Sequence, residues 1–320
     1  MKTKIFIDGS EGTTGLRIYE RFEGRDDVEI LRISSELRKD VNERKRLINE
    51  SDITFLCLPD AAAIESVSLV ENENVRIIDT STAHRTDAGW AYGFPELSKS
   101  HEDAIRTGKR IAVPGCHASG FVSIVYPLVK AGILPADYPV SSFSLTGYSG
   151  GGKNMIADYE SEERSALLEA PRVYALSQQH KHLKEMQAIT GLDKKPLFSP
   201  ILDNYYSGMV TSVPVYVDML NSHKSLADLQ KFFEEYYAGQ KFITVMPQGA
   251  ESEQMNMLSG NACTGYDGMR IYVTGNDERV VISSQFDNLG KGASGAAIQC
   301  LNIMLGCEPD KGLNLLKFSV

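Results

Sequence analysis

The sequence predicts an α/β protein in two parts: a parallel-sheet domain followed by an α+β domain. Three observations predict it. Strand-length apolar segments alternate with helix-like segments through the first third of the chain, the mark of βαβ units. A glycine-rich turn joins the first of these strands to the first helix. From about Phe143 the texture changes to longer alternating or β-branched segments with few helices between them.

Taken in order, residues 4–8 (KIFID) read as a buried strand, followed by the glycine turn and a helix up to Gly24. Residues 28–33 (VEILRI) form a second strand, and helical sequence then runs to about Asn49. Residues 53–58 (ITFLCL) are an apolar run stopped by Pro59. A helix from Ala61 to Val70 leads to the strand at 75–79 (VRIID). Residues 98–107 read as helix and 110–113 as a fifth short strand. An apolar helix, Phe121 to Ala131, is closed by Gly132 and Pro135. Beyond it, strands are expected at 142–147, 208–217, 241–246, 269–274 and 280–286. Helices are expected near 153–169, 180–190 and 225–237, and an Ala/Leu-rich helix at 291–305.

Composition bounds the function. At roughly 150 residues per domain, 320 residues make about two domains. Hydrophobic residues at 42% and charged residues at 23% describe an ordinary globular chain. A net charge of −9 without a Lys/Arg block argues against nucleic acid or anionic membranes as partners. No apolar run approaches the roughly 18 residues of a membrane span. The first residues enter a strand at once, leaving no room for a signal peptide. The five cysteines are scattered and contain no CxxC, so a reduced, cytoplasmic protein without disulfides or a metal centre is expected.

The turn Gly9-Ser10-Glu11-Gly12-Thr13-Thr14-Gly15 has GxxGxxG spacing between strand and helix. Glycines let the backbone approach a pyrophosphate, and the helix N-terminus supplies N–H donors. Gly9, Gly12, Gly15 and the hydroxyls of Thr13 and Thr14 are therefore candidate dinucleotide contacts in a Rossmann-like domain. A plain strand–helix turn is the alternative. An NAD site places Asp or Glu at the end of the second strand. Here Arg32, Ser34 and Ser35 stand there and suit a 2′-phosphate, which favours NADP, although Glu36 is close by.

Residues 114–120 read Pro-Gly-Cys-His-Ala-Ser-Gly between a strand and a helix. Cys116 is placed at or near a helix N-terminus, whose N–H groups stabilise a thiolate. Ser119 adds a donor one turn on. Cys57, in an apolar strand, reads as a packing residue, as do Cys300 and Cys307; a role for Cys263 stays open. A nucleophilic cysteine beside a nicotinamide suggests acyl transfer to sulfur followed by hydride reduction of the thioester.

These motifs together resemble the N-acetyl-gamma-glutamyl-phosphate reductases, in their shorter second type, within the aspartate-semialdehyde dehydrogenase-like superfamily. The resemblance rests on the turn at 9–15, Asp79-Thr80-Ser81-Thr82-Ala83-His84-Arg85, Tyr92-Gly93-Phe94-Pro95-Glu96-Leu97 and Pro114-Gly115-Cys116. It rests also on Gly147–Lys153, on the histidines at 180 and 182, and on Asp287–Gly295. It implies that Cys116 is the catalytic cysteine, His180 the base and Glu185 the carboxylate that orients it. The longer type has Pro before that Glu, whereas Lys184 stands here. It further implies that Arg85 holds the substrate phosphate and that Gly150, Lys153 and Asn288 belong to segments lining nicotinamide and substrate. The domains implied are 1–117 with 291–320 for NADP binding and 118–290 for catalysis and homo-oligomer contacts, as dimer or tetramer. The reaction implied is NADPH-dependent reduction of a small-molecule acyl phosphate, N-acetyl-gamma-glutamyl phosphate, in arginine biosynthesis. The implied mechanism pairs a Cys116 thiolate with protonated His180.

Read from residues alone, His180-Lys181-His182 is equally a solvated face, and His84-Arg85 plain surface charge. Other functions weighed are a sister acyl-phosphate reductase for aspartyl or aminoadipyl substrates, a thiol hydrolase or acyltransferase on Cys116 and His180, and a non-catalytic dinucleotide sensor.

Overall fold

In the computed structural model, residues 2–222 and 224–315 are described, with Thr13 as backbone only. The expected assignment of 316–320 to the first domain and the Thr13 hydroxyl lie outside the described residues. The described residues divide into two compact units: 2–115 with Ala293–Leu313, and Cys116–Gly292 with 314–315.

The first unit is the alternating one. Strand β1 (Thr3–Asp8) leads to α1 (Thr13–Glu20), β2 (Val28–Leu31), α2 (Val41–Glu50), β3 (Ile53–Leu56) and α3 (Asp60–Ser68). Then follow β4 (Arg76–Asp79), the two-residue β5 (Ala91–Tyr92), α4 (Lys99–Thr107) and β6 (Arg110–Ala112). The six strands are ordered β2-β1-β3-β4-β6-β5, and the pairings are all parallel. Such strands are buried on both faces, which is why they read as unbroken apolar runs. Strand order reverses between β1 and β3, and ligands of open parallel sheets bind outside the carboxyl ends at that point. Beside it, Arg44 of α2 forms a buried ion pair with Asp8 at 3.1 Å, and the Ser66 hydroxyl donates to the same carboxylate.

The second unit opens with α5 (Cys116–Lys130), five residues earlier than the apolar run alone predicts. It continues through β7 (Ser141–Gly147), α6 (Gly152–Glu160), β8 (Arg172–Val173), α7 (His182–Thr190), β9 (Leu197–Asp203) and β10 (Met209–Tyr216). It ends with α8 (Leu226–Tyr236), β11 (Ile243–Val245), β12 (Met269–Gly275) and β13 (Arg279–Phe286). The seven-stranded sheet is mixed, ordered β11-β12-β13-β10-β7-β9-β8. The helix expected over 153–169 stops at Glu160; a single 3₁₀ turn, Ala166–Glu169, is what remains of its second half. A π turn, Gly290–Ser294, precedes α9 (Gly295–Leu305), whose Ala296, Ala297, Ile298, Leu301 and Ile303 join the core of the first unit.

Helix α5 lies against β10 and β13 through Gly120. A Cβ there would sit 2.5 Å from Thr211 Oγ1 and 2.8 Å from Ser284 Oγ. Gly120→Ala is therefore expected to destabilise the protein by about 1–3 kcal/mol through overpacking. Denaturant unfolding checks this as a lower midpoint at unchanged slope.

Candidate active site

The glycine turn lies at the reversal point of the first sheet. Gly9 has φ +88, and a Cβ on it would meet the Cys57 carbonyl oxygen at 2.4 Å; a Cβ on Gly15 would meet Gly9 O at 2.4 Å. Both positions therefore exclude any side chain. Gly12 is the N-cap of α1 and supplies no side-chain cap, so the first turn keeps amides directed outward for an anion. These residues fit a dinucleotide phosphate.

At the end of β2, Arg32, Ser34 and Ser35 are exposed. The Arg32 guanidinium lies 5.1 Å from the Tyr19 ring centroid. The Ser35 hydroxyl donates to Glu11 Oε1 at 3.0 Å, and Arg38 donates to Glu11 Oε2. Arg38 was passed over in the sequence because it lies beyond the strand end where the motif is sought.

Arg85 is buried. Its Nε donates to Val113 O at 2.8 Å and its Nη2 to Thr80 O at 3.0 Å, so the guanidinium braces the loop after β4. In the same loop Asp79 accepts from Ser81 N–H and Oγ and pairs with His84 Nδ1 at 2.6 Å; His84 stacks on Trp90. His84 is thus a buried, partnered group rather than surface charge.

In the second unit Cys116 is the first residue of α5 and half-buried. The segment after β13 runs beside it: a Cβ on Gly292 would lie 3.1 Å from Cys116 Cβ. The other thiols differ. Burial pushes Cys57 up to about 12 and Cys263 up to about 11, and Cys300 is fully buried against Gly93 O. The Cys263 Sγ donates to Gln285 O at 3.6 Å.

A cluster of rings forms around His117, the residue after the nucleophile. His180 lies just before α7, and its ring centroid is 4.7 Å from His182, 5.5 Å from His117 and 5.8 Å from Tyr174. Burial, then the Lys181 charge, lower the His180 pKa to about 4, so the ring is neutral at pH 7. Burial and the Lys181 charge both act against the imidazolium expected from the sequence. His180 Nδ1 accepts from the His182 backbone N–H at 3.2 Å. Glu185 is buried in the first turn of α7. His182 is buried at 4% exposure.

His117 was missed in the sequence, since no spacing rule marks the residue after a nucleophile. It is fully buried, with Nδ1 2.8 Å from Ser144 Oγ and Nε2 2.6 Å from the Tyr174 hydroxyl. Burial, then the charges of His180 and Lys181, bring its pKa down to about 3. Tyr174 rises above its usual range through burial, with the negative charge of Cys116 adding to the effect.

The remaining candidates are unevenly placed. Asn288 is buried; its Oδ1 accepts from Gly208 N–H at 2.8 Å and its Nδ2 donates to Ser149 Oγ at 3.1 Å. Gly150 sits against it, since a Cβ there would be 3.5 Å from Asn288 Nδ2. Lys153 is exposed on the first turn of α6. Ser119 is 0% exposed, and its hydroxyl has no hydrogen-bond partner among the described residues. No group of three or more His, Cys, Asp or Glu suited to a metal is found among the described residues. No helix among them is long and apolar enough to cross a membrane.

Comparison with known proteins agrees with this division. Residues 4–105 match the semialdehyde dehydrogenase NAD binding domain, and residues 116–288 match the semialdehyde dehydrogenase dimerisation domain. The chain is 42% identical over 320 residues to N-acetyl-gamma-glutamyl-phosphate reductase 2 of Nostoc sp., covering 98% of this chain and 99% of that one. It is 44% identical over 310 residues to the N-acetyl-gamma-glutamyl-phosphate reductase of Brucella ovis, covering 96% and 100%. Its fold resembles aspartate semialdehyde dehydrogenase II from Vibrio cholerae, with TM-score 0.72 at 14% identity over 96% of this chain and 99% of that one. The fold, the two family domains and the near full-length relatives agree: the chain belongs to the semialdehyde dehydrogenase family, and within it to the N-acetyl-gamma-glutamyl-phosphate reductases.

Proposed function

We propose that this protein reduces N-acetyl-gamma-glutamyl phosphate to N-acetyl-glutamate semialdehyde with NADPH, in arginine biosynthesis and in the cytoplasm. The observation that carries the chemistry is the setting of Cys116. It alone of the cysteines opens a helix, its neighbour His117 packs against His180, and its charge acts on Tyr174, while Cys57 and Cys263 are held protonated by burial.

The helix amides favour the Cys116 thiolate. The thiol proton passes to His180, whose lone pair at Nδ1 is released from the His182 N–H at 3.2 Å. The sulfur attacks the acyl carbon, the C–O bond to phosphate breaks, and His180 returns the proton to the departing phosphate. The glycine turn would hold NADPH, which would supply the hydride for reducing the thioester. The resulting alkoxide collapses to the aldehyde and expels the Cys116 thiolate, which regains a proton from solvent. Arg32, Ser35 and Arg38 would hold the 2′-phosphate, with Arg38 and Ser35 exchanging Glu11 for it. Arg85 is proposed for the substrate phosphate, Lys153 for binding substrate, and Asn288 with Gly150 for the nicotinamide side. The chain is proposed to work as a homo-oligomer through the unit formed by Cys116–Gly292.

The test is the reverse reaction, followed as NADP⁺ reduction with phosphate and a panel of semialdehydes. N-acetyl-glutamate semialdehyde is expected to be preferred; preference for aspartate semialdehyde would overturn the substrate assignment. Ser119 gives a second test. A buried hydroxyl without a partner is a cost to the fold, so Ser119→Ala should keep or raise the melting temperature. If the hydroxyl serves substrate, the same variant raises KM for the semialdehyde. A lower melting temperature at unchanged KM would make Ser119 purely structural.

A further inference from the structure

A buried polar chain ends on Tyr174. Thr211 Oγ1 lies 2.7 Å from Ser144 Oγ, across the β10–β7 pair in which the two residues are in register. Ser144 Oγ lies 2.8 Å from His117 Nδ1, and His117 Nε2 lies 2.6 Å from the Tyr174 hydroxyl. Each hydroxyl has one hydrogen, and the neutral His117 ring has one. The chain can therefore run in only two directions.

Run from Tyr174 inward, the last hydrogen falls on Thr211, which is fully buried and has no further acceptor for it among the described residues. Run outward, Thr211 donates to Ser144, Ser144 to His117 Nδ1, and His117 Nε2–H to the Tyr174 oxygen. Every core hydrogen then has an acceptor, and the one left over belongs to Tyr174, beside His180 and next to the residue that follows Cys116. A buried donor without an acceptor costs far more than one at an open site, so the outward direction wins.

We propose that Tyr174 is a further catalytic residue: its hydroxyl, aimed by the Thr211–Ser144–His117 chain, donates to the anion at the reaction centre. In the free enzyme that anion is the Cys116 thiolate, once the thiol has lost its proton. During attack it is the oxygen of the acyl carbonyl, which takes the π electrons as the S–C bond forms and returns them as phosphate leaves. No proton leaves Tyr174; it stabilises charge only. The Tyr174 phenol is shifted upward by burial first and then by the negative charge of Cys116, which agrees with the two groups being near enough to interact. His117, Ser144 and Thr211 act through Tyr174 and are positioning residues.

This inference rests on the reductase reading for its second half, so two readouts are used on the intact protein. The first is the pH midpoint of Cys116 alkylation by iodoacetamide, which needs no substrate. Tyr174→Phe is expected to raise it by about one unit, the usual size of a lost hydrogen bond to the charged form. The second is kcat with N-acetyl-glutamate semialdehyde, NADP⁺ and phosphate. It is expected to fall on the order of 10²-fold in Tyr174→Phe, with KM within threefold and NADPH binding unchanged. Ser144→Ala leaves His117 Nδ1 without a donor and should move both readouts in the same direction by less. If Tyr174→Phe matches wild type in both, the proposal fails. If the alkylation midpoint moves while wild type does not turn over this semialdehyde, the hydroxyl role stands and the substrate assignment fails.

Discussion

Cys116→Ala is expected to abolish turnover while NADPH still binds. The thiolate is the nucleophile, and the strand–turn–helix setting is what ionises it. The other cysteines are placed differently: Cys57 and Cys263 are raised to about 12 and 11 by burial, Cys300 is fully enclosed, and Cys307 follows α9 in the other compact unit, its Sγ donating to Asp27. Fluorescence titration with NADPH separates the chemical loss from misfolding, because the glycine turn belongs to the other compact unit. Turnover retained in Cys116→Ala would refute covalent catalysis, and a sensor without chemistry would show an unreactive Cys116 near neutral pH.

His180→Asn is expected to lose about 10²–10⁴ in kcat, the usual contribution of a positioned acid/base. His182→Asn should lose less, since the His182 contact to His180 Nδ1 comes from its backbone. A large loss at His182 with none at His180 would reverse the two roles. The pH dependence follows from the low pKa of His180. With a value of about 4, its neutral form persists well below pH 6.5, so activity should not lose its base on that side until near pH 4. Stability behaves in the opposite sense. Below pH 6.5 the unfolded chain binds protons at positions 117 and 180 that the folded chain refuses until about 3 and 4. The unfolding free energy therefore falls as pH drops through that window, and denaturant titrations at several pH values read it directly.

Much of the fold is legible because parallel strands must be apolar throughout and their turns glycine-rich. Residues 4–8, 53–58 and 75–79 announce β1, β3 and β4, and Gly9 and Gly15 announce a turn that tolerates no Cβ. The invisible elements have physical reasons. Strands β5 and β8 are two residues long, too short for any period. Strand β9 carries Pro200, which argues against a central strand. It is tolerated because its carbonyl meets Tyr174 N–H beyond the end of β8, so the missing N–H falls where that short ladder has already stopped.

The site divides the same way. Cys116, His180 and the glycine turn carry local signatures: a helix start, a paired-histidine motif and a fixed spacing. His117, Tyr174, Ser144 and Thr211 come from α5, the loop after β8, and strands β7 and β10, and only the tertiary fold joins them. Glu185 is buried in the first turn of α7, and His180 Nδ1 accepts from the His182 backbone amide, a contact that no motif marks. Likewise Arg85 sits on the expected loop, but two of its donors are spent on backbone carbonyls.

The most direct measurement mixes the enzyme with N-acetyl-gamma-glutamyl phosphate in the absence of NADPH, quenches in acid and maps the adduct by peptide mass spectrometry. The account predicts an N-acetyl-glutamyl group on the peptide containing Cys116, removed on adding NADPH. An unmodified Cys116 peptide with phosphate released, or the acyl group on another residue, would contradict it.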